Sequence, residues 1–129
     1  MHENEISEKV IKCAIEVHRI LGPGLLESVY EDALCHELKL QGLQFIRQKP
    51  VPIPYKEIKL GTDLCLDLLV EDKVIVELKA KEKLTTIDKP QLLTYLRLSE
   101  KHLGLIINFD VKLLREGIHR VVNNLKELI

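Results

Sequence analysis

Residues 103–109, LGLIINF, form an apolar run that constrains the fold more than any other part of the chain. A strand with so few polar positions has to be covered on both faces, since successive side chains point to opposite sides of a sheet. We therefore expect this strand to be central, with a layer of other structure on each side of it.

Two helices are predicted before any strand. Residues 5–20 carry Ile6, Val10, Cys13, Ala14 and Val17 at helical spacing, which predicts an amphipathic helix that ends before GPG at 22–24. A second apolar stripe predicts a helix over residues 25–41, with Gly42 as a left-handed stop.

Three strands should follow these helices. Prolines at 50, 52 and 54 remove three donors from one edge of the segment 45–55, which predicts an edge strand that pairs on one side only. Residues 63–70 and 73–80 alternate around Glu71 and Asp72 and predict an antiparallel hairpin.

A third helix, a strand and a tail complete the expected order. Asp88, Pro90 and Gln91 predict a capping box at the start of a helix over residues 88–99. The tail 111–129 fits either an amphipathic helix or, with Gly117 as a break, a turn and a short strand IHRVV. The order indicates one three-layer α/β domain over residues 1–129 with a mixed sheet.

Composition excludes several classes of protein. A chain of 129 residues with 46% hydrophobic and 30% charged residues is neither collagen-like nor disordered. The net charge of −1 argues against coating nucleic acid by bulk electrostatics. With an acidic N-terminus and no apolar run of about 20 residues, we expect a cytoplasmic protein that does not enter membranes. The cysteines Cys13, Cys35 and Cys65 form no CxxC pair and are expected to be buried, reduced thiols.

Two carboxylates and a lysine mark the predicted hairpin as a candidate site. Asp67 lies in its first strand, and Glu77 and Lys79 share one face of the second. Both carboxylates and the backbone carbonyl of Leu78 could hold Mg²⁺, which prefers oxygen ligands. A metal held there polarises a phosphoryl oxygen and acidifies water, while a lysine offsets developing charge.

The alternative is a solvent-exposed hairpin in which Lys79 only pairs with one carboxylate, and the strand register distinguishes the two. A two-residue turn would place Asp67 opposite Val76, on the face away from Glu77. We therefore predict a three-residue connection, 71–73, or a bulge that adds one residue.

The segment GLLESVY, with Gly24, Glu27 and Tyr30, matches the motif of the GxxExxY protein family. The blocks EVHRILGPGLLESVYEDAL, DLLVEDKVIVELKA, QLLTYLRL, LGLIINF and GIHRVVN resemble that family over nearly the whole chain. This family is placed in the PD-(D/E)xK nuclease-like superfamily, so the resemblance implies a restriction-endonuclease-like core with Mg²⁺-dependent cleavage of DNA, and we expect Mn²⁺ to substitute.

The resemblance also assigns site residues. Asp67, Glu77 and Lys79 would be the core motif, Glu27 would add a metal ligand, and Gln91 and Tyr95 would line the site from the next helix. Tyr30 shares a helical face with Glu27 and is a candidate substrate contact. Phosphate contacts are expected from Lys81, Lys83, Lys89 and Arg97. Asp88 stands where the family's pattern has a histidine, and His18 is interpreted as a packed helix residue.

Three functions are open at this point. The first is a Mg²⁺-dependent nuclease, acting on DNA. The second is a catalytically inactive nuclease-fold module that binds nucleic acid or a protein. The third is a homo-oligomer formed through an amphipathic tail.

Overall fold

A five-stranded mixed sheet lies between two helical layers in the computed structural model, which describes residues 1–127. Its helices are α1 (Glu3–Leu21), α2 (Glu27–Leu40) and α3 (Asp88–Ser99). Its strands are β1 (Phe45–Val51), β2 (Pro54–Tyr55), β3 (Ile58–Lys59), β4 (Leu64–Val70), β5 (Val74–Lys79), β6 (Leu103–Asn108) and β7 (Ile118–Val122). The predicted three-layer α/β arrangement is confirmed.

The main sheet has the strand order β1-β4-β5-β6-β7. Strands β5 and β6 are parallel and are connected through α3, whereas the other neighbouring pairs are antiparallel. The run 103–109 is an interior strand as expected, but β5 takes the middle position because β7 adds a strand beyond β6.

Separate apolar cores cover the two faces of the sheet. Helices α1 and α2 pack against one face, where Leu105 and Ile107 of β6 join the larger core. Helix α3 packs against the other face, where Leu92 and Leu96 meet Ile106. Strand β6 therefore buries side chains in both cores, which explains its apolar sequence.

The proline-rich segment forms an edge strand, as predicted, but a shorter one. Strand β1 pairs only with β4 and ends at Val51. The chain then leaves the sheet, and β2 pairs with β3 in a separate two-stranded hairpin. Pro50 lies within the main ladder, paired with Cys65, and the ladder ends one residue later, before Pro52.

The tail adopts the second of its two alternatives. A 3-10 turn over Leu114–Gly117 leads into β7, which pairs with β6. No amphipathic tail helix exists up to residue 127, so the helix expected to mediate a homo-oligomer is absent from the described tail; residues 128 and 129 lie outside the described part. Gly117 permits this path, since a Cβ there would lie 2.1 Å from the backbone oxygen of Asn108.

The expectation that all three cysteines are buried is wrong for Cys65. Cys13 and Cys35 are buried, but Cys65 is exposed on β4, where its Sγ donates to Gln48 at 3.1 Å. Within residues 1–127, none of the helices combines the length and the apolar character needed to cross a bilayer.

Gly117→Ala should destabilise the fold by at least ~2 kcal/mol, because the new methyl group collides with rigid backbone. Gly61→Ala is the matched control, since a Cβ at Gly61 has no neighbour within 4 Å. Urea denaturation measures both variants. Equal midpoints for the two would contradict the close approach of Gly117 to Asn108.

Candidate active site

The connection between β4 and β5 places Asp67 and Glu77 side by side. Val70 pairs with Val74 and Leu68 with Val76, so the connection contains the three residues 71–73 and the same register brings Asp67 opposite Glu77. Glu71 and Asp72 adopt left-handed backbone conformations, with φ of 53° and 56°. The three-residue connection predicted from the sequence is confirmed.

Contacts with the segment before β1 hold this connection in place. The N–H of Glu71 donates to the carbonyl of Gln44 at 2.8 Å, and the N–H of Gln44 donates to the Glu71 carboxylate at 2.6 Å. These reciprocal bonds fix the turn against the neighbouring strand. A slip of one residue would break both of them and turn Asp67 to the opposite face.

The ladder between β1 and β4 is interrupted at Asp67. Arg47 pairs with Leu68 and Lys49 with Leu66, but Gln48 and Asp67 form no pair between them. Gln48 has a positive φ of 48°, and its side chain donates to Glu31 at 2.8 Å. This interruption releases the backbone N–H of Asp67 from the ladder with β1.

The carboxylates of Asp67 and Glu77 each accept a hydrogen bond from a backbone N–H of the opposite strand. The freed N–H of Asp67 donates to the Glu77 carboxylate at 3.1 Å, and the N–H of Leu78 donates to the Asp67 carboxylate at 2.8 Å. The carbonyl of Lys79 accepts from Phe109 on the β6 side, so the Leu78 carbonyl faces β4 and the carboxylates. Three oxygen-bearing groups therefore meet at the end of the hairpin.

Burial and the neighbouring Asp67 alter the titration of Glu77. Glu77 is only 5% exposed. Burial, followed by the hydrogen bond and the negative charge of Asp67, raises the pKa of Glu77 to about 9, although Lys79 opposes the shift. Glu77 therefore keeps its proton near neutral pH in the metal-free protein.

Lys79 lies on the same face of β5 as Glu77, two residues further along the strand. Ile75, which precedes Glu77 by two residues, packs into the core beneath α3, so all three side chains point to the α3 side. The strand end is held by Asn108, a buried residue whose side chain donates to the carbonyl of Lys81 at 2.8 Å and accepts from its N–H at 3.2 Å. Asn108 thus fixes the backbone just beyond Lys79.

Glu27, the first residue of α2, faces the same region without joining a ligand cluster. Burial and the charge of Asp67 raise the pKa of Glu27, while Lys79 and Lys81 lower it, which places all four groups within electrostatic reach. Nevertheless, no three His, Cys, Asp or Glu side chains within residues 1–127 are close enough to form a metal site. The structure brings two of the three expected carboxylates together.

Tyr30 is not available to a substrate, which corrects the expectation from the sequence. Its side chain is fully buried, and its ring stacks on Phe109 with the centroids 4.5 Å apart. Its hydroxyl donates to the carbonyl of Gly22 at 2.6 Å and accepts from the N–H of Leu25 at 3.1 Å. Tyr30 therefore fixes the GPG loop that leads to Glu27.

Helix α3 presents Tyr95 and Gln91 on its outer part. Tyr95 is half-buried against the smaller core, and burial followed by the charges of Glu77 and Asp67 raises the pKa of its hydroxyl. Gln91 lies one turn earlier and is exposed. Both can face a molecule bound over the carboxylate pair.

The predicted capping box at Asp88 is wrong. Ile87 holds the N-cap position, and the Asp88 carboxylate instead accepts from the N–H of Thr85 at 2.6 Å and pairs with Lys81 at 2.9 Å. Burial would raise the pKa of Asp88, but the bonds from Lys81 and Thr85 hold it below its usual value. Lys81 is thus positioned by Asp88 rather than free.

The remaining candidates lie further out. Lys83, Lys89 and Arg97 are exposed. His18 has a packing role, as interpreted, because its Nε2 lies 2.7 Å from the carbonyl oxygen of Val111. Gln48 and Asn108 were missed, since neither residue type carries a catalytic signature and both act through contacts with residues distant in the sequence.

A carboxylate pair and a lysine at the end of a hairpin in a three-layer mixed sheet are typical of the restriction-endonuclease-like fold. The chain belongs to the PD-(D/E)XK nuclease superfamily, whose family model matches residues 4–121. Searches of curated proteins and of solved structures gave no significant match.

Glu77→Gln should stabilise the metal-free protein at neutral and alkaline pH. The folded chain keeps a proton on Glu77 up to about pH 9, but the unfolded chain releases it near pH 4.5. Wild type therefore loses stability as the pH rises between these values, by roughly several kcal/mol in total. The Gln amide mimics the protonated acid and does not titrate.

Denaturation of wild type and variant from pH 4 to pH 9 without metal measures this difference. It should be smallest at pH 4 and increase with pH. Glu57→Gln, at an exposed position, should leave the pH profile unchanged. A constant difference between wild type and Glu77→Gln over this range would show that Glu77 is ionised in the fold.

Proposed function

We propose that this chain is a divalent-metal-dependent nuclease that hydrolyses phosphodiester bonds of nucleic acid, with DNA as the expected substrate. The observation that carries the proposal is the pairing of Asp67 with Glu77, in which each carboxylate accepts a backbone N–H of the opposite strand, with Lys79 on the same face. Members of the superfamily generally use divalent metals, which this pair of acids suits.

The donor set fits a hard cation such as Mg²⁺, with Mn²⁺ as a substitute. Asp67, Glu77 and the Leu78 carbonyl offer only oxygen, which Mg²⁺ prefers. The buried Glu77 carboxyl beside Asp67 also provides a reason to bind a cation, since a positive charge there would favour the ionised form of Glu77. A bound cation would polarise the scissile phosphate and lower the pKa of attacking water.

The protein's own groups would have distinct roles. Lys79 lies within electrostatic reach of Glu77 and can orient water or offset negative charge that develops on the phosphate. Glu27 can contribute a further carboxylate through an intervening water, because it is near Asp67 but outside direct ligand distance. Tyr95 and Gln91 would contact the substrate from α3.

One observation favours a second candidate, an inactive nuclease-fold module that binds nucleic acid or a protein. The carboxylates of Asp67 and Glu77 already accept backbone N–H groups of Leu78 and Asp67, so they also stabilise the hairpin without a metal. This role predicts that their loss changes stability but not a chemical activity.

Metal-dependent cleavage of labelled DNA and RNA tests the proposal. Wild type should cut in Mg²⁺ or Mn²⁺ and not in EDTA. Glu77→Gln and Lys79→Ala should each lower the rate by at least ~100-fold, since each removes a group that stabilises the transition state. Loss of activity in Glu77→Gln would not reflect unfolding, because that variant is expected to be more stable.

Matched controls are Glu8→Gln and Lys12→Ala, which make the same changes at exposed positions of α1. Both should cut at the wild-type rate. Residual cleavage that is equal in Glu77→Gln, Lys79→Ala and wild type would contradict the proposal. Absence of cleavage together with nucleic-acid binding would favour the inactive module.

A further inference from the structure

The segment that connects β1 to β4 forms a projecting hairpin beside the candidate site. Residues 54–59 fold as β2 and β3, with Pro54 paired with Lys59 and Tyr55 with Ile58. This two-stranded sheet is separate from the main sheet, and all four paired residues are exposed. An exposed hairpin of this kind adds little to the core and is free to contact another molecule.

A cleft of about 700 Å³ separates this hairpin from the end of α3. Its floor includes Leu66 and Leu69 of β4, and its far wall includes Lys101. Leu66 directly precedes Asp67 in the strand, so the cleft begins beside the carboxylate pair. From Leu66 the cleft follows β4 to Leu69 and reaches Asp72 in the turn after the strand.

The lysines of the cleft favour an anionic occupant. Lys49, Lys56, Lys59 and Lys101 line it, opposed by Glu57, Asp72 and Glu100. Asp72 pairs with Lys101 at 3.3 Å. Within residues 1–127, Lys49, Lys56 and Lys59 form no salt bridge, so three ammonium groups are available to bind phosphates.

The hairpin also carries an aromatic ring that can stack. Tyr55 is 57% exposed, and the Nζ of Lys56 lies 5.7 Å from its ring centroid. Exposed aromatic rings flanked by cations are the usual platform for bases in nucleic-acid-binding proteins. The ring, Lys56 and Lys59 belong to one small element at the cleft whose floor includes Leu66, the neighbour of Asp67.

We infer that the β2–β3 hairpin and the cleft behind it bind the backbone of the nucleic acid that is cut at Asp67 and Glu77. This inference rests on the proposed function and identifies the surface that holds the substrate. The shared chemistry is the phosphodiester backbone, which DNA and RNA both carry. The hairpin would hold the nucleic-acid strand on the β1 side of the site, at the opposite edge of the main sheet from β7.

Binding assays in the Glu77→Gln background with EDTA separate this inference from catalysis. The probes are labelled DNA and RNA oligonucleotides, each single-stranded and duplex. Lys56→Ala with Lys59→Ala should weaken binding by about tenfold and lower the slope of log K against log salt by about 2, one per lost phosphate contact. Lys9→Ala with Lys12→Ala makes the same charge change on α1 and should alter neither quantity.

Tyr55→Ala should weaken binding of single strands more than binding of duplexes, because only unpaired bases can stack on the ring. Equal affinity and salt slope in the hairpin variant and in the α1 control would overturn the inference while the proposed nuclease could still stand. Weaker binding in the hairpin variant of a protein that never cleaves would support the hairpin as a nucleic-acid-binding surface and contradict the proposed function. Failure of the Glu77→Gln parent to bind any probe would overturn the inference.

Discussion

The contact between Asp67 and Glu77 is the interaction on which this account depends. Two carboxylates face each other across a hairpin, each accepting a backbone N–H of the opposite strand, and Glu77 is shielded from water. An arrangement of this kind is electrostatically unfavourable without a proton or a cation. The fold maintains it through the three-residue connection 71–73 and the anchoring of that connection to Gln44.

Other parts of the molecule position groups around this contact. The parallel pairing of β5 with β6 brings Asn108 to the end of β5, where it holds the backbone beyond Lys79. Tyr30 fixes the loop before Glu27, and Asp88 holds Lys81. The charged groups thus converge from α2, the central hairpin and the loop before α3, while the two apolar cores keep these elements in place.

The parts of this structure that depend on the spacing of apolar and charged residues could be predicted from the sequence. The hairpin connection could be inferred because a two-residue turn would place the carboxylates on opposite faces, and the helices followed from their apolar stripes. The interruption at Gln48 was not predictable, because a positive φ in a Gln has no local signal. Asp88 and Tyr30 were misassigned for a related reason: local capping and helical-face rules do not include the distant partners, Lys81 and Phe109, that decide their roles.

The position of a bound divalent ion tests the central claim most directly. Crystals soaked in Mn²⁺ should show an anomalous peak within coordination distance of carboxylate oxygens from both Asp67 and Glu77, and the peak should be absent in crystals of Asp67→Asn. An ion bound elsewhere, or no peak at this pair at Mn²⁺ concentrations that support cleavage by related nucleases, would contradict the account.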